Sequence, residues 1–471
     1  MDGPISERST RLLKLARGKL GHLYEAEEKY WAQRARTQWL REGDRNTRYF
    51  HYGAWHEDKN EICTVAWSYF DDLFKSTVEP DEEFDLHFVP KCITDNMNRN
   101  LNREVTDAEI LAAFNQMDPR KARGIDGLLG MGDDVLRLFH ETLRGTNDVD
   151  RINETLLVMI PKIENPCEMT NFHPIRLFIR SSLKYLRTVL ANCLKEVLSV
   201  CISQNQRAFV PGRMIHDNVL IAHELMHYLR SSKNGPNKGC VVKLDMSKAY
   251  DRVEWCFLEK VLLKIGFSCD WVKKFMSCVR TVIYRVKCNM RLTDVIIPER
   301  GLCQGDPFIP LPFSLLHGYF ISHIKGICAS KDGPRINHLF FADDALLFVR
   351  NQRSEVEVFN QILEKFEKMF GQSINLENSM VCFSPNTSTS QMATTSGLLK
   401  MNVVDKLDGY LGLPIPVGKK KRNAFKSILD RTACRINSWS KRLLSYGSKE
   451  IFLKAVIQSI PTYAFSVFFG S

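Results

Sequence analysis

The chain has 471 residues, 44% of them hydrophobic and 25% charged, which leaves room for two to four structural units and excludes wholesale disorder. It has no run of about 18 uninterrupted apolar residues, and its N-terminus shows no apolar core segment or cleavage site, so neither a membrane span nor a secretory signal is expected. The 14 cysteines make no C-x-x-C pair, which argues against a disulfide framework or zinc cluster and for buried thiols in a reducing compartment, nucleus or cytoplasm.

The net charge of +11 is unevenly spread. Residues 71–95 hold eight acids against Lys75 and Lys91, whereas residues 419–454 hold eleven Lys/Arg against Asp430 and Glu450. That basic stretch includes Trp439 and Tyr446. On charge alone it suits a polyanion with stackable bases and a solvated helical face equally well.

From the N-terminus, residues 7–40 read as one long helix and 79–83 (EPDEE) as an exposed acidic linker. Thr106 and Glu109 match a capping box ahead of a helix that ends near Asp118-Pro119. Residues 123–127 form a turn, 156–160 (LLVMI) a strand stopped by Pro161, and 181–202 and 217–230 helices, with a loop at 231–239. The run 240–244 (CVVKL) reads as a buried strand ending on Asp245, followed by a helix from about Asp251. Residues 282–297 alternate like a strand, 338–341 and 345–349 flank a hairpin turn at Ala342-Asp343-Asp344, and a helix (354–370) and a strand (380–383) follow. Helices interleaved with few strands, one pair of them a hairpin, predict an α+β palm-like unit over a doubly wound parallel sheet.

One Asp ends a buried strand and two adjacent Asp sit at a hairpin turn 98 residues later. Carboxylates flanked by Phe, Leu and Val are costly unless a cation neutralises them. Three of them meeting at strand ends can hold two Mg²⁺ about 4 Å apart, the geometry of phosphoryl transfer. An isolated Asp-Asp is commonly a turn or helix cap, as Asp133-Asp134 is expected to be. The hydrophobic brackets HLFF and ALLFV favour the metal reading for Asp343-Asp344.

These residues also carry a resemblance. Phe341-Ala-Asp-Asp344 resembles the F/Y-x-D-D box of reverse transcriptases, and residues 243–255 (KLDMSKAYDRVEW) resemble the first metal-binding motif of the non-LTR, LINE-type class in its plant form. Residues 300–307 (RGLCQGDP), 206–218 (QRAFVPGRMIHDN), 411–414 (LGLP) and 436–440 (INSWS) are similar to further segments of that family, in the same order.

The resemblance implies an RNA-directed DNA polymerase of a non-LTR retrotransposon. Asp245, Asp343 and Asp344 would bind two Mg²⁺ (Mn²⁺ being the other option) and transfer dNTPs to a DNA 3′-hydroxyl on an RNA template. Tyr250 would be the aromatic gate against a 2′-hydroxyl, with a core aromatic as the plain alternative. Gln304 and Gly305 would line the nucleotide and template site, and Lys162 and Arg213 would contact phosphate.

The implied fold is a right-hand polymerase (fingers–palm–thumb) with an antiparallel palm sheet and a helical N-terminal extension. The expected divisions are extension and acidic linker 1–100, fingers 101–240, palm 240–385 (reverse transcriptase domain about 155–415) and basic helical thumb 386–471. The family's endonuclease and its C-terminal segments are expected to be absent.

Three positions depart from the family pattern. His173 stands where the family has an Arg triphosphate ligand, Cys303 replaces a family Arg, and Asn378 replaces the Lys that faces departing pyrophosphate. With apparent shortening near residues 64–66, 129–150 and 312–335, they read as a truncated, partly decayed copy. The serious alternative is therefore a catalytically dead RNA-binding remnant of the same fold. A remote alternative is a zinc metalloprotease, from the literal H-E-x-x-H at residues 223–227; no downstream third ligand supports it.

Overall fold

A computed structural model describes residues 49–51, 54–56, 58–79, 82–116 except 88, 133–144, 153–163, 166, 168–178, 181–231 except 209, 239–288, 291–302, 324–330, 333–341, 344–415 except 408, and parts of 426–437 and 453–468. The long helix expected over 7–40, the turn at 123–127 and most of the basic stretch after 416 lie outside the described residues.

In chain order the elements are β1 (Tyr49–His51), β2 (Ala54–His56), α1 (Lys59–Phe74), α2 (Asp95–Asn102), α3 (Asp107–Gln116) and α4 (Asp133–Arg144). Next come β3 (Glu154–Pro161), β4 (Phe172–Phe178), α5 (Ser181–Cys201), α6 (Ile215–Ser231) and β5 (Cys240–Leu244). Then follow α7 (Trp255–Ile265), α8 (Cys269–Arg280), β6 (Ile283–Cys288), β7 (Arg291–Leu292), β8 (His338–Phe341) and β9 (Asp344–Val349). The last are α9 (Arg353–Phe370), β10 (Met380–Phe383), α10 (Thr389–Leu399), β11 (Asn402–Val403) and α11 (Ser459–Phe468). The capping box ahead of α3 is present: Thr106 N donates to Glu109 Oε2 at 2.9 Å and Glu109 N to Thr106 Oγ1 at 3.4 Å.

One sheet has the order β11-β10-β5-β9-β8 and the other β4-β3-β6-β7. In the first, β5 lies antiparallel between β10 and β9, and β8 and β9 form the expected hairpin with Phe341 opposite Asp344. The sheet expected to be antiparallel is mixed, because β10 and β11 run parallel. In the second sheet β3 pairs antiparallel with β4 and parallel with β6. Pro174 is tolerated because β4 is an edge strand, where a missing N–H breaks no interior ladder.

Strand β5 is apolar on both faces because it separates two cores. Val242 and Leu244 join a large cluster running from Ile62 in α1 to Met401. Val241 faces the other way, into a cluster with Ala222, Leu225, Met226 and Leu229 of α6 and with Tyr410 and Ile415. Such two-sided burial reads in sequence as a continuous apolar run without alternation. Helix α9 buries Val356, Phe359, Leu363, Phe366 and Phe370, a stripe at helical spacing, and stops at Gly371 with φ +67°. A Cβ there would lie 2.6 Å from Glu254 Oε1, so glycine is required for packing as well as for backbone.

The helix expected from Asp251 begins at Trp255 instead, and residues 247–252 form turns between bridges at Met246 and Glu254. Tertiary bonds override local propensity here. Ser247 N donates to Ser373 O and Asn375 N to Asp245 O, both at 2.9 Å; Gly301 N donates to Val253 O at 2.9 Å and Leu302 N to Tyr250 O at 2.7 Å. Among the described residues no helix is long and apolar enough to cross a membrane.

Candidate active site

Strand register brings two carboxylates together. Leu244 pairs with Ala345, so the residue after β5, Asp245, lies beside the first residue of β9, Asp344, although 99 positions separate them. Asp245 is exposed and Asp344 half-buried. Both line a cavity of about 200 Å³ together with Lys243, Leu244, Met246 and Asn378. Ser379 Oγ accepts from Asp245 N at 3.0 Å, and Asn378 Nδ2 donates to Asp245 Oδ2 at 3.1 Å. Lys243 Nζ donates to Gly409 O at 3.3 Å, so the cavity also holds a cation that pattern reading did not single out.

Two tyrosines sit within electrostatic reach of Asp344. Burial and then the Asp344 charge push up both the Tyr410 and the Tyr463 phenols. Tyr463, from α11, donates to Leu411 O at 3.1 Å, and Asn218 Nδ2 donates both to Phe340 O (2.8 Å) and to Tyr410 Oη (3.4 Å). Residues 410–413 close as a tight turn with Leu411 (φ +50°) and Gly412 (φ +73°) both left-handed.

The other expected site residues divide. Asp343, Cys303, Gln304 and Gly305 lie outside the described residues. Tyr250 is 8% exposed and belongs to the main core, with its carbonyl bonded to Leu302 N just before Cys303. Lys162 is exposed after β3 and donates to Thr170 O at 3.1 Å. His173 lies on β4; burial of the imidazole first, then Lys248 and Lys162, lower its pKa from the ordinary range. Asn378 touches Asp245 directly.

Arg213, expected at phosphate, is instead spent on the chain itself. Its guanidinium donates to the carbonyls of Ser203 (2.5 Å), Gln206 (2.6 Å) and Ile202 (3.2 Å), in the segment that follows α5.

Two buried ion pairs near the site escaped sequence reading. Arg176 donates to Asp251 Oδ1 (2.7 Å) and Leu302 O (2.5 Å) and stacks near the rings of Phe74 and Tyr284. Arg300 Nη1 meets Glu254 Oε1 at 3.1 Å with both side chains almost fully enclosed. The only signal for either was an unexplained charge within an apolar motif, Asp251 and Glu254 in KAYDRVEW.

The H-E-x-x-H helix gains no metal-site support. Burial pushes the His223 imidazole down to about 4 against a hydrogen bond to the Pro414 backbone, while Glu224 and His227 are exposed. Among the described residues no group of three or more His, Cys, Asp or Glu could hold a metal; Asp343 is not one of those residues. The donor chemistry at Asp245 and Asp344, hard carboxylate oxygens at a polar cavity, fits a hard divalent cation and not a thiolate-bound metal.

A mixed α/β fold that brings Asp245 and Asp344 together at neighbouring strand ends fits the polymerase class. The chain belongs to the reverse transcriptase (RNA-dependent DNA polymerase) family, whose model matches residues 160–412. Several of its relatives are non-LTR retrotransposon proteins. It is 25% identical over 350 residues to the transposon TX1 uncharacterized 149 kDa protein of Xenopus laevis, covering 68% of this chain and 26% of that one. It is 26% identical over 251 residues to the Pol polyprotein of the type-2 retrotransposable element R2DM of Drosophila melanogaster, covering 53% and 23%. The chain thus spans about a quarter of the length of these relatives. A solved structure of apo telomerase from Candida tropicalis, truncated from the C-terminal domain, is 13% identical over 49% of this chain and 50% of that one, with a TM-score of 0.35.

Proposed function

We propose that the chain is the RNA-directed DNA polymerase portion of a non-LTR retroelement, extending a DNA 3′-hydroxyl with dNTPs on an RNA template. The observation that carries this is the convergence of Asp245 and Asp344 from adjacent strands on one cavity. Asp245, Asp343 and Asp344 would hold the divalent ions, Mg²⁺ or Mn²⁺. When bound, such ions polarise the attacking hydroxyl and neutralise charge on the phosphoryl oxygens. The chain's own contribution is positional. The β5–β9 ladder fixes the carboxylates, Ser379 and Asn375 fix the backbone of Asp245, and Asn378 orients its carboxylate.

The finer reading assigns fingers to 101–240, palm to 240–385 and a basic thumb to 386–471, with Tyr250 under the sugar, Gln304 and Gly305 at the template side and Lys162 at phosphate. Asn378 favours one second reading, an RNA-binding remnant without turnover. It contacts Asp245 as a neutral amide where the family carries a lysine.

A single assay separates the two readings: Mg²⁺-dependent primer extension by the purified chain, beside Asp344→Ala. Extension abolished by Asp344→Ala supports the polymerase. RNA binding without extension in either protein supports the remnant. Equal extension by both would sink the assignment of the carboxylates.

A further inference from the structure

Strand β8 is the outer strand of the sheet that carries Asp344, and beyond it no further strand of that sheet follows among the described residues. An uncovered edge leaves N–H and C=O groups unpaired and a hairpin held from one side only. Residues 202–218 cover that edge. At Phe340 the cover is a short parallel bridge, in which Phe340 N donates to Asn205 O at 3.1 Å and Arg207 N to Phe340 O at 3.3 Å. Ser203 Oγ shares a hydrogen bond with His338 Nε2 at 3.2 Å.

Asn218, fully buried at the start of α6, adds a tie from helix to strand. Its Nδ2 donates to Phe340 O at 2.8 Å and to Tyr410 Oη at 3.4 Å, and Tyr410 Oη donates onward to Leu339 O at 3.4 Å. Phe340 stands one residue before Phe341, the register partner of Asp344. The covering segment is itself held in shape. Arg213 gathers the carbonyls of residues 202, 203 and 206, Arg207 Nη1 meets Asp217 Oδ2 at 3.0 Å, and Gln206 Oε1 accepts from Ala208 N at 3.0 Å.

Stability alone does not account for Asn218. Its Oδ1 is buried without a hydrogen-bond partner among the described residues, a cost that an apolar side chain would not carry. Phe340 O already accepts from Arg207 N, so the amide is not needed to satisfy it. What the amide supplies is a fixed distance between α6 and the catalytic hairpin.

We propose that Asn218, backed by Tyr410, is a positioning residue that braces the outer edge of the β8–β9 hairpin and so fixes Asp344 beside Asp245 for binding a divalent cation. The cation rests on the polymerase reading of the two carboxylates; the brace rests on the contacts at Phe340 and Leu339. Groups that orient metal ligands from behind set affinity because the cation needs its carboxylates at a defined separation.

Two measurements on the full chain test this: amide hydrogen exchange of the metal-free protein, and Mn²⁺ binding followed by electron paramagnetic resonance. Asn218→Ala should speed exchange across residues 338–349 about five- to tenfold, the worth of one buried hydrogen bond, while β3 and β6 keep their protection. Its Mn²⁺ affinity should fall about tenfold. Tyr410→Phe keeps the ring, removes only the hydroxyl, and should move both readouts in the same direction by less. Should Asn218→Ala not fold, Tyr410→Phe carries the test. Asn98→Ala removes an amide that ties α2 to Gly266 O (2.7 Å) and Ser268 N (2.9 Å), and should lower the urea midpoint with neither readout changed at the hairpin.

Unchanged exchange over 338–349 in both variants, or the same change there in Asn98→Ala, overturns the brace. Faster exchange with unchanged Mn²⁺ affinity overturns the positioning role. A wild type without a Mn²⁺ site that Asp344→Ala removes overturns the carboxylate reading and the positioning of Asp344 with it, whereas the brace still stands or falls on exchange.

Discussion

The ion pair between Glu254 and Arg300 gives the sharpest stability test. Glu254 Oε1 accepts from Arg300 Nη1 (3.1 Å), Thr77 N (3.1 Å) and Thr77 Oγ1 (3.0 Å), and Oε2 accepts from Ser76 Oγ (2.7 Å). Arg300 Nε donates further to Leu73 O at 3.0 Å. One carboxylate thus ties the end of α1 to the start of the loop at residue 300, with side-chain exposures of 0% for Glu254 and 5% for Arg300. Glu254→Ala leaves a guanidinium enclosed without its counter-charge, which costs about 3–5 kcal/mol. Replacing both partners, as in Glu254→Ala/Arg300→Ala, removes the stranded charge and should cost clearly less than the sum of Glu254→Ala and Arg300→Ala. Urea unfolding of the four proteins reads this directly through the midpoint at constant slope. A Glu254→Ala cost below about 1 kcal/mol, or strict additivity in the double variant, would falsify the claim that this pair is a closed, mutually dependent unit.

Three other outcomes are expected. The His223 imidazole is pushed down to about 4 from its ordinary 6.5, chiefly by burial. The unfolded chain therefore takes up the proton first, so stability is full above pH 6.5 and falls as pH drops from about 6.5 to about 4. After discount for partial exposure the loss is about 2 kcal/mol, and a His223→Gln variant whose unfolding shows the same pH slope there would contradict it. Tyr250→Ala should admit ribonucleotides during primer extension if the ring underlies the sugar, and should lose about 3–5 kcal/mol of stability as a core truncation in either case. Continued rejection of ribonucleotides would leave only the packing role. Affinity for single-stranded RNA should fall on a log–log salt plot by about 0.7 per phosphate neutralised, and changing Lys419, Lys420 and Lys421 to Gln should flatten that line; an unchanged slope would make the basic stretch a solubility feature.

The site was legible where chemistry and periodicity coincide. Asp245 could be read because CVVKL is an apolar run that stops at a charge, and Asp344 because HLFF and ALLFV bracket it as two paired strands do. Helix α9 was legible through its spaced aromatics and Gly371. What escaped reading is tertiary. Residues 251–254 look helical by composition, yet their backbone bonds go to 301 and to the end of α9. The parallel β10–β11 pair is two residues deep and leaves no periodic trace. Arg213 was expected at phosphate from the resemblance alone, and no sequence rule says that the carbonyls of residues 202, 203 and 206 converge on it. Glu254 and Arg300 are 46 residues apart, and only packing makes them partners.

Sequence comparison counts His173 and Asn378 as two missing cations, each subtracting affinity for phosphate. In the fold they are not equivalent. Asn378 lies on the carboxylate side, 3.1 Å from Asp245 Oδ2, where an amide holds the carboxylate by a neutral hydrogen bond and a lysine would offer a charge that competes with any cation for the same oxygen. His173 lies on β4, where burial and then Lys248 and Lys162 lower its pKa. A third full cation at position 173 would add repulsion to an ammonium whose pKa burial already lowers. On the family pattern expected from the sequence, the change at 173 would remove charge from a cationic neighbourhood, whereas the change at 378 would alter how a carboxylate is held. The two substitutions act on different terms of the same site, and their effects on nucleotide binding and on turnover need not share a sign.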